Sequence, residues 1–157
     1  MRRSDREIRD REEILKVMEK CDVCRLALND DGYPYILPLN FGMGEEKGEL
    51  VIYFHGAIEG TKYTLIEKDN RASFEMDCSH KLVAERKNGA CDCTMEYESV
   101  IGRGIITMVP DEEKTEALNL LMAHYHREDC PVNEETARRT RVFKLTVKSL
   151  TGKRRMR

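Results

Sequence analysis

The most constraining feature of this sequence is an apolar run that ends in a histidine and then turns through small residues. Residues 50–54 form a β-prone run, and His55 follows at the end of the predicted strand. Residues 56–60 include two glycines, which allow a tight turn and a close approach of the backbone to a ligand. Thr61 and Lys62 then open a predicted helix, whose free N–H groups favour an anion. This order predicts a site for a phosphate-bearing ligand, with a plain connecting turn as the alternative.

Size and composition fit a single globular domain over residues 1–157. Charged residues make up 36% of the chain and hydrophobic residues 40%, the balance of a folded protein with a heavily charged surface. No segment has the length and apolarity of a membrane span, and residues 1–13 lack the apolar core of a signal peptide. We therefore expect a cytoplasmic protein without membrane association, whose six cysteines are reduced thiols.

Charge is distributed unevenly along the chain. The segment 138–157 contains nine Lys and Arg residues and no Asp or Glu, whereas the rest of the chain is acidic. A basic end on an acidic body favours an anionic partner, either a ligand phosphate, a nucleic acid or the acidic face of a second subunit. A solvated tail is the alternative for residues 154–157. The acidic body argues against nucleic acid, so we expect no nucleic-acid partner.

Hydrophobic periodicity predicts four helices and six strands. Asp111–His126 has the clearest helical spacing of apolar residues, and Arg71–Cys78 alternates as a strand does. The polar segment His80–Asp92 is predicted to be a loop. Local hairpins with helices between some strands favour a small antiparallel barrel with peripheral helices. The other predicted helices are 10–20, 60–68 and 133–139, and the other predicted strands are 23–28, 33–41, 49–55, 93–109 and 142–150.

Two prolines interrupt the predicted strand Tyr33–Phe41. Pro34 and Pro38 cannot donate to a strand ladder, so they predict an edge, a bulge or a point where pairing stops. A break of this kind leaves backbone groups free to face a ligand. We predict a loop over Gly42–Gly48 and a hairpin that joins this strand to Glu49–His55.

Five motifs, in order, resemble one known family. They are PYILPLNFG (34–42), LVIYFHGAIEGTK (50–62), YESVIGRG (97–104), EKTEALNLLMAHY (113–125) and a strand ending in TGKR (151–154). The set is similar to the flavin-binding split-barrel proteins of the pyridoxamine 5'-phosphate oxidase-like superfamily, within it most to the nitroimidazole-resistance (Nim) type. The resemblance implies a mainly β fold, an FMN-binding split barrel built as a Greek-key antiparallel barrel of six strands with peripheral helices. It also implies a homodimer with two FMN molecules at the interface, each touching both chains.

The resemblance also implies a set of site residues by position. Thr61 and Lys62 occupy the phosphate-binding positions, and Lys153 and Arg154 fall where the family's C-terminal tail approaches that phosphate. His55 would lie near the flavin ring and is the candidate catalytic residue, with a hydrogen-bonded structural role as the alternative. The remaining residues implied to bind the cofactor are Pro38, Leu39, Asn40, Phe41, Tyr53, Phe54, Tyr97, Ser99 and Val100.

Two departures from the true pyridoxamine phosphate oxidases narrow the expected function. Those enzymes have a C-terminal segment with tryptophan and arginine over the cofactor, whereas this chain has no tryptophan. Thr61 stands where many of them have arginine. Vitamin B6 oxidation is therefore not expected. We expect an FMN-dependent, nitroreductase-like oxidoreductase that takes hydride from a reduced nicotinamide and passes electrons to a small acceptor such as a nitroaromatic. The alternative is a protein that binds FMN or haem for storage or sensing without turnover.

Cysteine and histidine spacing does not favour a metal site. Cys78, His80, Cys91 and Cys93 have ligand chemistry suited to zinc, but their spacing matches no standard pair of CxxC knuckles. Cys21 and Cys24 form one CxxC and are expected to be half-buried small residues. His124 and His126, two apart on a predicted helix, do not share a face and are expected on the surface.

Overall fold

The helices lie where the apolar periodicity predicts them. The computed structural model describes residues 3–87 and 90–156, with backbone alone over 85–87 and 90–92. Asp10 caps the first helix, because its carboxylate accepts a hydrogen bond from the Glu12 N–H at 2.9 Å. The described helices are α1 (Arg11–Glu19), α2 (Thr61–Lys68), α3 (Lys114–His124) and α4 (Glu134–Arg138), with short 3-10 helices at Ser4–Arg6 and Asp111–Glu113. No helix of the described residues is long and apolar enough to cross a membrane.

The described strands form one antiparallel sheet that closes into a split barrel. They are β1 (Glu7–Ile8), β2 (Cys24–Asp30), β3 (Tyr33–Leu39), β4 (Phe41–Glu46), β5 (Glu49–Gly56), β6 (Arg71–Lys87), β7 (Ala90–Met108) and β8 (Arg141–Arg155). Their order is β3-β2-β6-β7-β8-β5-β4, and β1 pairs with β8. The two ends of this path are neighbours along the chain, because only Asn40 separates β3 from β4. The sheet therefore curls round on itself, and the split of the barrel lies at Asn40.

The predicted mainly β split barrel is confirmed, with β1 and β4 added to the six expected strands. The predicted loop over residues 42–48 is wrong, because most of it is β4, paired with β5 from Phe41 opposite Phe54. Its glycines indicate a loop locally, but pairing with β5 and contact with α3 hold the segment extended. The predicted hairpin over residues 33–55 is wrong for the same reason. β3 pairs with β2, and β4 turns into β5 at Lys47 and Gly48.

The segment predicted as a polar loop, His80–Asp92, continues two long strands. β6 and β7 pair from Arg71 opposite Ile105 to Lys87 opposite Ala90, with a register shift between Cys78 and Lys81. The predicted loop is therefore wrong wherever it is described; residues 88 and 89 lie outside the described residues. Among the described residues, the part of this ribbon beyond Tyr97 pairs with no third strand.

Two apolar clusters explain why residues 50–54 are continuously apolar. Ile52 and Phe54 point into the barrel and belong to the main core. Val51 and Tyr53 point the other way, into a second core beneath α3 and α4. Because β5 is covered on both faces, every residue of the run is buried, and His55 is the first to reach the surface.

Gly42→Ala is expected to destabilise the protein by about 1–3 kcal/mol through overpacking. An added Cβ would lie 2.6 Å from the backbone nitrogen of Leu121 and 2.7 Å from the backbone carbonyl carbon of Leu120, so α3 would have to move away from β4. Thermal and urea unfolding measure the loss. Gly44→Ala is the matched control, because its Cβ would meet the Tyr53 and Leu120 side chains at 3.1 and 3.4 Å. Equal losses in the two variants would contradict the packing argument.

Candidate functional site

Two cations lie against the ring of Tyr63, where β5 ends and α2 begins. The Lys62 ammonium lies 4.6 Å from the ring centroid and the Arg141 guanidinium lies 4.1 Å from it. Arg141 opens β8 and pairs in register with Gly56. Among the described residues, the carboxylate of Glu67 approaches Arg141 at 3.8 Å, and no carboxylate pairs with Lys62. This group of two cations, called the cationic corner below, therefore has positive charge available to an anion.

The backbone leaves room beside the cationic corner. A Cβ added at Gly56 would lie 2.8 Å from Lys62 Nζ and 2.9 Å from the Tyr63 hydroxyl, so glycine lets the ammonium lie against the strand. Gly60 precedes α2 and provides no side-chain cap, so the N–H groups of Thr61 and Lys62 are left for a ligand, whereas that of Tyr63 donates to the Gly60 carbonyl at 3.0 Å. The exposed Thr61 adds a hydroxyl at the same helix end. Helix N–H groups, a hydroxyl and two cations form a donor set that suits a phosphate monoester.

His55 points toward the same region of the surface. Its side chain is exposed, and no described group is found to hydrogen-bond its imidazole. Partial desolvation lowers the pKa of His55 below its ordinary value, and the positive charge of Lys62 lowers it further. The imidazole is therefore mainly neutral at neutral pH, with one nitrogen that donates and one that accepts. A hydrogen-bonded structural histidine finds no support in the described contacts.

Lys62→Met is expected to raise the pKa of His55, because it removes one of the two causes that lower it. The His55 ring signals in an NMR titration measure the midpoint. The pKa of His55 is lower in the folded protein than in the unfolded chain. The folded protein therefore loses stability as the pH falls from the ordinary histidine pKa to this lowered value. Lys68→Met, at the other end of α2, is the matched control and should leave the midpoint in place. An unchanged midpoint in Lys62→Met would show that the two side chains are not coupled.

A cavity of about 470 Å³ opens beside His55. This volume lies in the range of small-molecule sites. Among the described residues, the ionisable side chains that line the cavity are those of His55 and Tyr125. Thr140 also lines it and directly precedes Arg141 in the chain. Its lining residues are Asn40, His55, Leu118, Leu121, Met122, Tyr125, Val132, Thr136 and Thr140. A neutral, largely apolar space thus adjoins the cationic corner.

Tyr125 holds the barrel split beside this cavity. Its hydroxyl donates to the Asp22 carbonyl at 2.7 Å and accepts from the Asn40 amide at 3.1 Å and from the Phe41 N–H at 3.2 Å. These bonds tie the end of α3 to both sides of the split and set the position of Asn40. Tyr125 lies in the fourth motif, but helical spacing alone marks it as a core residue and does not indicate this role.

The expectation that His124 and His126 both lie on the surface is half right. His126 is exposed, but His124 is partly buried. The His124 ring lies 4.2 Å from the Phe41 ring, and its Nε2 lies 2.8 Å from the Cys21 carbonyl. His124 is therefore a structural contact between α3 and the chain before β2.

Four residues implied to line the cofactor have side chains in the core. Phe41, Phe54 and Val100 are 0% exposed and pack inside the barrel. Tyr53 lies beneath α3, and its hydroxyl donates to Glu46 at 2.6 Å. These four side chains are therefore buried within the subunit, because a sequence motif does not show which face of a strand is covered. Contact with the cofactor through the backbone, which the resemblance implies for Phe41, stays a prediction.

Several of the other implied residues lie on a second surface, on the outer side of the sheet. Pro38 on β3 shares a cross-strand row with Arg25, Glu75 and Ile101, and Ser99 pairs with Lys153 next to it. Tyr97 extends the same face, whereas Leu39 packs partly against the core. The surface formed by Arg25, Pro38, Glu75, Tyr97, Ser99, Ile101 and Lys153 is called the outer sheet face below.

Lys153 and Arg154 do not approach Lys62 within one chain. Arg141 and Lys153 are separated along β8 by about 40 Å of extended strand. Arg154 is also bound by Glu98 at 2.6 Å and by Glu13 at 3.3 Å. Within one subunit these two residues therefore lie away from Lys62, and their role at the phosphate of an interface flavin stays a prediction. The cation that the fold does bring to Lys62 is Arg141, which the sequence analysis counted only as part of the basic end.

The described residues contain no group of three or more His, Cys, Asp or Glu placed to hold a metal ion. Cys91 is one of the four residues whose chemistry suits zinc, and its side chain lies outside the described residues. His80 instead pairs with Asp77 at 2.9 Å.

One family model and several solved structures match this chain. The family model of pyridoxamine 5'-phosphate oxidase matches residues 10–154. A proposed 5-nitroimidazole antibiotic resistance protein from Bacteroides thetaiotaomicron is 30% identical, with a TM-score of 0.79 over 94% of this chain and 85% of that one. The flavocytochrome Anf3 from Azotobacter vinelandii (18% identity, TM-score 0.78, 100% and 72% covered) has the same fold. So does a FAD and heme binding protein from Mycobacterium smegmatis (17%, 0.77, 95% and 73%). Among curated proteins, none matches the sequence significantly.

Proposed function

Because the chain belongs to the pyridoxamine 5'-phosphate oxidase family, we propose that it binds FMN and reduces small neutral acceptors, such as nitroaromatics, with electrons from a reduced nicotinamide. One observation carries the proposal: the cationic corner of Lys62 and Arg141 adjoins a neutral cavity that His55 lines. A flavin mononucleotide has a dianionic end and a flat, largely apolar end, so it needs both kinds of surface.

Lys62, Arg141 and the Thr61 hydroxyl hold the phosphate in this proposal. Their geometry fits, because Gly56 leaves the ammonium in place and the start of α2 has no side-chain cap. Charge-assisted hydrogen bonds of this kind are the strong ones in proteins, and arginine adds a bidentate contact.

His55, Asn40 and the backbone at the barrel split serve the ring end. When bound, FMN would supply the redox chemistry, which is to accept hydride from the nicotinamide and to pass electrons to the acceptor. Tyr125 orients Asn40, so its amide is preorganised at the polar edge of the site. The neutral imidazole of His55 would donate a hydrogen bond to the acceptor, and the apolar wall from α3 would limit access of water.

A homodimer completes the site in this proposal. The outer sheet face exposes large apolar side chains, with Ile36 61% and Ile101 52% exposed, beside Ser99 and Lys153. Apolar residues grouped on one face favour association, and a second copy would bring this face toward the cavity of the first. The residues implied by the family but distant within one chain would then serve the neighbouring site.

Anaerobic reduction tests the proposed activity. We expect NADH or NADPH to bleach the visible absorbance of the FMN-loaded protein, and a neutral nitroaromatic to restore it with consumption of the acceptor. His55→Gln should retain FMN and turn over more slowly. FMN that stays oxidised with both donors would instead favour binding without catalysis.

A further inference from the structure

Two thiols from distant parts of the chain reach one carbonyl oxygen. Cys21, just after α1, lies with its sulfur 3.2 Å from the Val17 oxygen, and Cys78, on β6, lies with its sulfur 3.9 Å from that oxygen. The two sulfurs are therefore at most about 7 Å apart. Both thiols are free, and they are separated by more than 50 residues of chain.

We propose that Cys21 and Cys78 form a disulfide site that small organic disulfides such as oxidised glutathione can load. This inference stands apart from the flavin proposal, since it uses none of the cationic corner or the cavity.

The CxxC spacing suggests another pair, which the structure does not favour. Cys24 is the first residue of β2 and is 0% exposed in the barrel core. The charges that shift the pKa of the Cys24 thiol are those of Glu75 and Arg25. The thiol that shifts the pKa of Cys21 is Cys78. Among the described contacts, the thiol that interacts with Cys21 is therefore Cys78. Both CxxC cysteines are also more buried than the sequence analysis expects.

Accessibility sets the order of the reaction. Cys78 is partly exposed, beside the register shift of β6, where Ser79 has a φ of 58°. Cys21 is 1% exposed. The Cys78 thiolate attacks glutathione disulfide, which breaks the S–S bond, forms a mixed disulfide and releases one glutathione. The Cys21 thiolate then attacks the Cys78 sulfur and releases the second glutathione, so two protein thiols are oxidised and one small disulfide is reduced to two thiols.

The second step is the slow one. Burial raises the pKa of the Cys21 thiol, and the nearby Cys78 raises it further. Little thiolate is therefore present at neutral pH, and closure should accelerate as the pH increases.

The cross-link would act on the segment that anchors the barrel split. The Cys21 carbonyl lies 2.8 Å from His124 Nε2, and the next carbonyl, that of Asp22, accepts the Tyr125 hydroxyl bond at 2.7 Å. Joining residue 21 to β6 fixes the point at which the end of α3 is held. Because the cross-link closes a long loop, it should also raise the melting temperature by about 5 °C or more.

Peptide mapping of the full chain after incubation with oxidised glutathione tests the proposal. We expect one peptide pair joined through Cys21 and Cys78, formed faster at pH 9 than at pH 7 and lost on reduction. The exposed Cys130 is the internal control for reagent activity and should carry glutathione. Cys21→Ser should leave Cys78 as a stable mixed disulfide, while Cys24→Ser should still form the link. A Cys21–Cys24 link, a persistent glutathione adduct on Cys78 in the native chain, or an unreacted Cys78 beside a modified Cys130 would overturn the proposal.

Discussion

Replacing Lys62 with alanine is expected to weaken FMN binding about 10- to 100-fold and to leave riboflavin binding nearly unchanged. A charged hydrogen bond to phosphate contributes about 1.5–3 kcal/mol, which converts to this change in Kd. Riboflavin has the same ring without the phosphate, so the ratio of the two affinities isolates the phosphate contact. Quenching of flavin fluorescence measures both. Arg141→Ala should produce a similar loss, because its guanidinium contacts the same Tyr63 ring.

Lys68→Ala is the control for charge alone. It removes one positive charge from the same helix, but at the end remote from Gly56. Its FMN affinity should stay within about twofold of the native value, with general electrostatics as the only contribution. Equal loss of FMN and riboflavin affinity in Lys62→Ala would mean that the phosphate binds elsewhere.

Glu98→Gln is expected to cost about 3 kcal/mol of stability. The Glu98 carboxylate is 0% exposed and binds Lys20 at 2.8 Å, Arg154 at 2.6 Å and the Ser79 hydroxyl at 2.9 Å. Removing its charge leaves Lys20 without this anion and Arg154 with Glu13 alone, and breaking a buried ion pair typically costs 3–5 kcal/mol. We take the lower end because Lys20 and Arg154 reach solvent.

The stability lost in Glu98→Gln should be smaller at low pH than at neutral pH. Desolvation raises the pKa of Glu98, but the bonds from Lys20, Ser79 and Arg154 outweigh it and bring the pKa to about 2. Since the pKa is lower in the folded protein than in the unfolded chain, the stabilisation is complete above pH 5 and disappears as the pH falls toward 2. Urea unfolding at pH 7 and at pH 3 should therefore show a smaller difference between native and variant proteins at the lower pH. Glu19→Gln, an exposed site on α1, should change stability by at most about 0.5 kcal/mol. A pH-independent difference for Glu98→Gln would contradict the charge argument.

Local sequence patterns predict the structure correctly where a single strand or helix determines it. The run at 50–54 is apolar throughout because β5 is covered on both faces, so it marks the centre of the fold in the sequence as well. The positions of Thr61 and Lys62 follow from the turn that leaves this strand. The long ribbon of β6 and β7 could not be recognised, because its polar sequence has the composition of a loop and its pairing is with a distant part of the same segment.

The candidate site depends on pairings that the sequence does not display. Arg141 reaches Tyr63 because β8 pairs with β5, and Tyr125 reaches Asn40 because α3 crosses the split. Conversely, Phe54 and Val100 lie within family motifs but face the core. Motif order identifies the segments of a site, whereas tertiary contacts determine which side chains within them are available.

The visible absorption spectrum of the freshly purified protein, taken before and after addition of FMN and gel filtration, tests the central claim most directly. We predict flavin bands that elute with the protein, at up to one FMN per chain and with the elution volume of a dimer. A protein that elutes colourless after exposure to FMN would contradict the proposed flavin site and the activity that depends on it.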